Sequence, residues 1–163
     1  MTATETAESE IPQTDRTQLV RYAADCAERV LHLAGPLRPN AEAAIQAARA
    51  WAESPTEERR QACRETADRA YLDSVLSAAF VAVFGDRTVK KAHSSAVLAA
   101  ALAGKAAVCG DSALFAAGAA EAAAEAATGV RHTGSAPGAE RAWQAERRKF
   151  YGLPAPNAGG VEG

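Results

Sequence analysis

The chain has 163 residues, enough for one domain with a real core and too few for two comfortable ones. Alanine makes up about a quarter of it, while Leu, Ile, Val and Phe together supply only about a sixth. With 18 basic and 20 acidic residues the formal charge is -2, which gives no electrostatic case for nucleic acid or an anionic membrane and argues against disorder, since disorder pairs few large apolar residues with high net charge.

Alanine has the best helix propensity, so the composition points to helices. A buried methyl contributes only about 0.8 kcal/mol against roughly 1.5 to 3 for a buried Leu or Phe, so stability has to come from many close helix contacts. The expected fold is all-α: a single-domain, Ala-rich helical bundle of about six helices. The expected layout is a disordered tail over 1–14, a helical domain over 15–152 and a disordered tail over 153–163.

Punctuation residues propose the helices in order. Asp15 can cap a first helix over 16–34, with Gln18 completing a capping box and Gly35-Pro36 ending it. Asn40 can cap a second over 41–53. In "SPTE", Ser54 suits the N-cap, Pro55 the first helical position and Glu57 the third. The third helix then runs toward Phe84, with room for a break near Asp73 and Ser74. Its last ten residues, "VLSAAFVAVF", are apolar all round, which predicts a central position.

Gly85-Asp86 opens a fourth helix over 87–108, and Gly110-Asp111 opens a fifth over 112–128, ended by Gly129. After the loop "VRHTGSAPG", a sixth helix over 139–151 closes at Gly152 and Pro154. Arg147, Arg148 and Lys149 in its last turn complement the helix dipole. No strand pattern and no fixed-period repeat occurs.

The first fifteen residues carry acidic residues and no apolar run, unlike a signal peptide, and the apolar stretches over 75–84 and 96–103 are too short to span a bilayer. Three cysteines, with no CxxC, fit reduced thiols rather than a disulfide framework. A cytoplasmic protein with no membrane partner is expected.

The segment "YAADCAERVL" places Cys26 between two carboxylates. On a helix, Leu19, Tyr22, Ala23, Cys26, Ala27, Val30 and Leu33 form one stripe, and Gln18, Arg21, Asp25, Glu28, Arg29 and His32 form the other. Cys26 therefore reads as a core thiol. The charged stripe reads as surface pairs Arg21/Asp25, Asp25/Arg29 and Glu28/His32. Cys63 falls on an apolar stripe with Ala62, Thr66, Ala67, Ala70 and Tyr71. Cys109, at a helix junction, is left open.

Other chemistry lacks its residues. No Glu-x-x-His or HExxH pattern links His32, His93 and His132, and no Walker, GxGxxG or GxSxG motif occurs. "GDSAL" resembles a lipase serine block without its strand or its later Asp-x-x-His, so Ser112 reads as a first-turn residue after the Asp111 cap. Trp51 extends the stripe Ala41, Ala44, Ile45, Ala48, Ala52 and reads as core; Trp143, with Phe150 seven residues on, reads as the anchor of the last helix. No cofactor, metal or catalytic set is expected, and no enzyme.

"YAADCAERVL", followed after a Pro-containing turn by "AIQAARAWAE", resembles the immunity proteins of bacterial polymorphic-toxin systems, immunity family five-like. Tyr22, Asp25, Cys26, Ala27, Glu28, Val30 and Leu31 match that family's first helix. Ala44, Ile45, Ala47, Ala48, Arg49, Ala50 and Trp51 match its second. The resemblance implies a protein that binds and neutralises a cognate toxin by occlusion. The charged residues bordering these segments, Asp25, Glu28, Arg29, Arg49 and Glu53, are then the candidate partner-binding residues. The alternative is a helical scaffold or regulatory module that self-associates as a homo-oligomer through Ala-lined faces. An enzyme built on Cys109 and Asp111 has the least support.

Overall fold

The computed structural model describes residues 13–84, 87–129 and 137–154. Among the described residues the architecture is six α-helices and one 3₁₀ segment, with no strand. They are α1 (Gln13–Val30), the 3₁₀ turn (Leu31–Leu37), α2 (Arg38–Glu53), α3 (Glu57–Phe84), α4 (Arg87–Val108), α5 (Ser112–Gly129) and α6 (Pro137–Phe150). The all-α bundle expected from composition is what forms. His132 lies outside the described residues.

Helix α4 is the centre: α1, α2, α3 and α5 all pack on it. Alanine permits this crowding. Ala96, Ala99, Ala100, Ala103, Ala106 and Ala107 of α4 are buried, as are Ala116, Ala119, Ala123 and Ala126 of α5. At the α3/α4 contact Gly104 has no side chain because there is no room for one: a Cβ there would stand 2.8 Å from that of Ala67. Small residues allow the two backbones to approach, and many shallow contacts replace a few large ones.

The end of α4 shows how the polar groups of so small a core are satisfied. A helix leaves its last four carbonyls without intrahelical partners. Here Ser112 Oγ donates to the Ala106 carbonyl (2.8 Å), Arg16 to those of Ala107 (3.2 Å) and Cys109 (2.6 Å), and Arg60 to that of Val108 (3.1 Å). Two cations thus sit at the negative end of the central helix, a favourable place for them. Burial, and then the neighbouring Arg60, lower the pKa of Arg16. The Arg16 guanidinium also lies 5.5 Å from the ring of Trp51, which is buried as its stripe predicts.

Several local expectations shift. Helix α1 begins at Gln13, so Asp15 occupies its first turn instead of capping it. It ends at Val30, where the chain tightens into the 3₁₀ turn through Gly35 (φ 55) and Pro36. The His93 imidazole of α4 packs on Gly35, 2.8 Å from where a Cβ would be, so this bend needs glycine for conformation and for space. Asn40 lies inside α2 and donates to Asp73 of α3 (2.7 Å) rather than capping a helix.

The cap of α3 is Thr56, whose Oγ1 accepts the Arg59 N–H (3.3 Å), not Ser54. Helix α3 passes Ser74 unbroken, because Ser74 and Ser94 exchange side-chain to carbonyl hydrogen bonds of 3.1 and 3.0 Å between α3 and α4. Asp111 caps α5 as read, accepting the Leu114 N–H at 3.2 Å.

Helix α6 ends in a Schellman motif: Gly152 (φ 67) donates to the Lys149 carbonyl (2.9 Å) and Leu153 to that of Arg148 (3.0 Å). Leu153 packs on the core and the Pro154 carbonyl accepts from Arg148 (2.6 Å), so these two residues belong to the folded unit and not to a disordered tail. Among the described residues no helix is long and apolar enough to cross a membrane.

Candidate functional site

Asp25 is the hub of a polar clasp joining three helices. Its carboxylate, one-tenth exposed, accepts from Arg49 Nη2 of α2 (2.9 Å), Arg147 Nε of α6 (2.7 Å) and Tyr151 Oη just beyond α6 (2.7 Å). Burial pushes its pKa up, but the hydrogen bonds from Tyr151, Arg49 and Arg147 outweigh burial and hold it below the ordinary carboxylate range. Arg49 also reaches Glu28, Nη1 to Oε1 at 2.7 Å. That bond, with the one to Asp25, raises the pKa of Arg49 against the opposing effect of burial.

A second layer fixes the start of α6. Arg29 Nε lies 2.6 Å from Oε2 of the buried Glu140, whose other oxygen accepts from Gln144 (3.1 Å). Gln144 also donates to the Ala120 carbonyl of α5 (2.9 Å). The Arg29 guanidinium covers the Trp143 ring at 4.6 Å, and Arg148 covers the buried Tyr22 at 5.2 Å. Trp143 is partly buried against the core, as an anchor should be, while Phe150 is exposed.

Of the five residues the sequence put forward, Glu28, Arg29 and Glu53 are solvent-exposed. Asp25, Glu28, Arg29 and Arg49 spend their charges between helices. The i, i+4 pairs expected on α1 are replaced by bonds to Arg49, Arg147 and Glu140, because an arginine on α2 and an acid and an arginine on α6 come within hydrogen-bonding distance of the same side chains. Arg147 and Glu140 carried no local signal for this. Their partners lie 122 and 111 residues away.

The clasp borders a shallow hollow of about 170 Å³ lined by Arg21, Asp25, Arg49, Glu53 and Tyr151. Its inner oxygens are already saturated by hydrogen bonds, and no thiol, imidazole or hydroxyl of serine lines it. The thiols are placed as read. Cys26 is buried and its pKa is pushed up to about 12 by burial; Cys63 is buried and pushed up to about 11. Cys109 is partly exposed. No group of three or more His, Cys, Asp or Glu able to hold a metal occurs among the described residues.

A family of unknown function, DUF6931, matches residues 15–136. The chain belongs to that family. The matched span covers α1 to α5 but for the first two residues of α1, and stops just before α6, so Asp25 and Arg49 lie inside it while Glu140, Arg147 and Tyr151 lie beyond. No curated protein and no solved structure matches the chain.

The family span contains a second surface, on α3. Its apolar segment, expected to be central, is at the surface: Tyr71, Leu72, Val75, Leu76, Phe80 and Val83 are between 45% and 72% exposed. The reason is that α4 is already enclosed. Cys63, Ala67, Ala70 and Ser74 bury the face of α3 that meets the bundle, and the six large apolar side chains lie away from it. Ala78, Ala79 and Ala82 are also exposed, and no charge interrupts residues 74–84. A contiguous apolar face of this kind on a folded chain is a candidate interaction surface.

Proposed function

We propose that this chain is a non-enzymatic protein-binding module whose contact surface is the outward face of α3. The observation that carries the proposal is the exposure of Val75, Leu76, Phe80 and Val83 on the charge-free stretch 74–84, continued by Leu72 just before Asp73, on a helix whose Cys63, Ala67, Ala70 and Ser74 are buried against the bundle. Leaving several large apolar side chains in water costs about 1.5 to 3 kcal/mol for each that could be fully buried, which a partner would recover. The test is a photocrosslinking amino acid at Leu76 in the full chain, expressed in its native host. Covalent adducts to protein are expected there and not from the same group at the exposed Ala117 on α5; no adduct from Leu76 would refute the reading.

A second reading gives the partner an identity. The resemblance carried by residues 22–31 and 44–51 supports a toxin as the protein bound, with the exposed carboxylates of Glu53 and of Glu28, which also pairs with Arg49, as the acidic groups offered on the α1/α2 side. Co-expression with a toxin encoded beside the gene should then protect the cell, and loss of protection in Glu28→Ala with Glu53→Ala would place the contact there. Absence of any protection would rule this reading out.

A further inference from the structure

Resting on the reading of α3 as a contact surface, we infer that its occupant is a second copy of this chain, paired antiparallel along α3. Three observations converge on a self-pairing. The first is spacing. Leu72, Leu76, Ala79 and Val83 recur at steps of four, three and four, the repeat of a two-helix seam.

A two-fold axis between Ser77 and Ala78 sets Leu76 against the partner copy's alanine at 79 and Leu72 against its valine at 83. Each layer joins a larger side chain to a smaller one. Val75 and Phe80 then stand on opposite flanks of the seam. An interface between identical copies has to be complementary to itself, and this register is.

The second observation is extent. The exposed stretch from residue 71 to 83 is about 18 Å long at 1.5 Å per residue. Six large side chains, each about half exposed, offer roughly 500 to 600 Å² of apolar surface per copy, toward the upper end of what a monomer shows. Full burial of that surface in both copies would remove about twice that from water, close to the ~1,200 Å² at which stable interfaces begin.

The third is charge. The last turn of α3 has no basic residue to complement the negative end of the helix dipole. The antiparallel register brings Arg69, exposed and one turn before the seam, to that end of the other copy. A parallel pair would instead stack Glu65 and Arg69, both exposed, each on its own like charge.

Sedimentation of the full chain over a concentration series tests this. A species of twice 16.9 kDa is expected at tens of micromolar, and Leu76→Glu should restore 16.9 kDa with helical circular dichroism unchanged. Should that variant misfold, Val83→Glu at the more exposed end of the seam gives the same readout. Spin labels at Glu58→Cys, with Cys109→Ser, should report a separation of about 60 Å across an antiparallel pair and well under 20 Å across a parallel one. A short distance overturns the arrangement.

A chain that stays at 16.9 kDa to millimolar concentration overturns the pairing. In that case adducts from Leu76 to a different protein leave the α3 contact reading standing. Adducts only to the chain's own residues 1–12 or 155–163 show the face covered from within and refute both, as does no adduct at all.

Discussion

Arg147 Nε lies 2.7 Å from Asp25 Oδ2 across 122 residues of sequence, and through this contact the last helix is tied to the first. Tyr151 and Arg49 converge on the same carboxylate, so one side chain on α1 holds both α2 and the end of α6. Helix α6 lies outside the span shared with the family and is attached mainly through charges and two aromatic rings, not through an alanine seam.

Removing that hub should loosen α6 first. Asp25→Ala leaves two guanidinium groups and a hydroxyl without their acceptor, and is expected to cost about 3 kcal/mol in chemical denaturation. Hydrogen exchange should rise over residues 137–150 before it rises in α4. Uniform exchange through both helices would show that α6 is not held this way.

The same carboxylate should set the acid limb of stability. Burial raises its pKa, the bonds from Tyr151, Arg49 and Arg147 lower it further, and the net folded value is below the unfolded one. Such a group contributes stability that is fully present above the unfolded carboxylate pKa of about 3.9 and is lost as pH falls through the folded value. Denaturation midpoints should therefore be flat from pH 7 to 5 and decline below about pH 4, and Asp25→Asn should flatten that decline while lowering the plateau. An unchanged acid limb in Asp25→Asn would assign it to other carboxylates.

How much of this was readable in the sequence depends on the range of the interaction. The start of α5 was legible because Asp111 caps its own turn. The inward placing of Cys26, Cys63 and Trp51 was legible from helical spacing. The clasp was not: Asp25 has cations four residues to either side, and nothing local says that Arg49 and Arg147 will win it. The α3 segment misled for a related reason. An all-apolar helix reads as central, yet whether it is enclosed depends on which neighbours have already filled the core, and here alanines of α4 and α5 fill it. The cap at Thr56 was displaced by two residues because Ser54 is held at the end of α2, its N–H donating to the Ala50 carbonyl at 3.2 Å.

The thiols give a direct check on the core. With Cys26 and Cys63 buried and their pKa values raised to about 12 and 11, a disulfide reagent at pH 8 should modify Cys109 alone in the native chain and all three after denaturation. Fast native labelling of Cys26, read by mass spectrometry, would contradict the orientation of α1.

The close approach at Gly104 predicts a steric response. Gly104→Val has to push α3 from α4 where a Cβ already meets Ala67 at 2.8 Å, and should cost about 1 to 3 kcal/mol despite the valine's larger apolar surface. The measurement is the shift in denaturation midpoint. A stabilised variant would mean that the two helices have slack between them.

At the end of α4, Arg16→Ala removes the donor to two carbonyls and is expected to cost about 2 kcal/mol, with faster exchange confined to the α4/α5 junction. Arg60→Ala, which removes one bond, should cost less. Equal costs would mean that the cation at this helix end matters and the individual bonds do not.

The account turns on α3 presenting its large apolar side chains outward, and the stability of Leu76→Asp in dilute solution tests that most directly. If Leu76 faces solvent in the single chain, equilibrium denaturation at submicromolar protein should change by no more than about 0.5 kcal/mol. A loss of 3 kcal/mol or more under the same conditions would show Leu76 to be a core residue and would contradict the account.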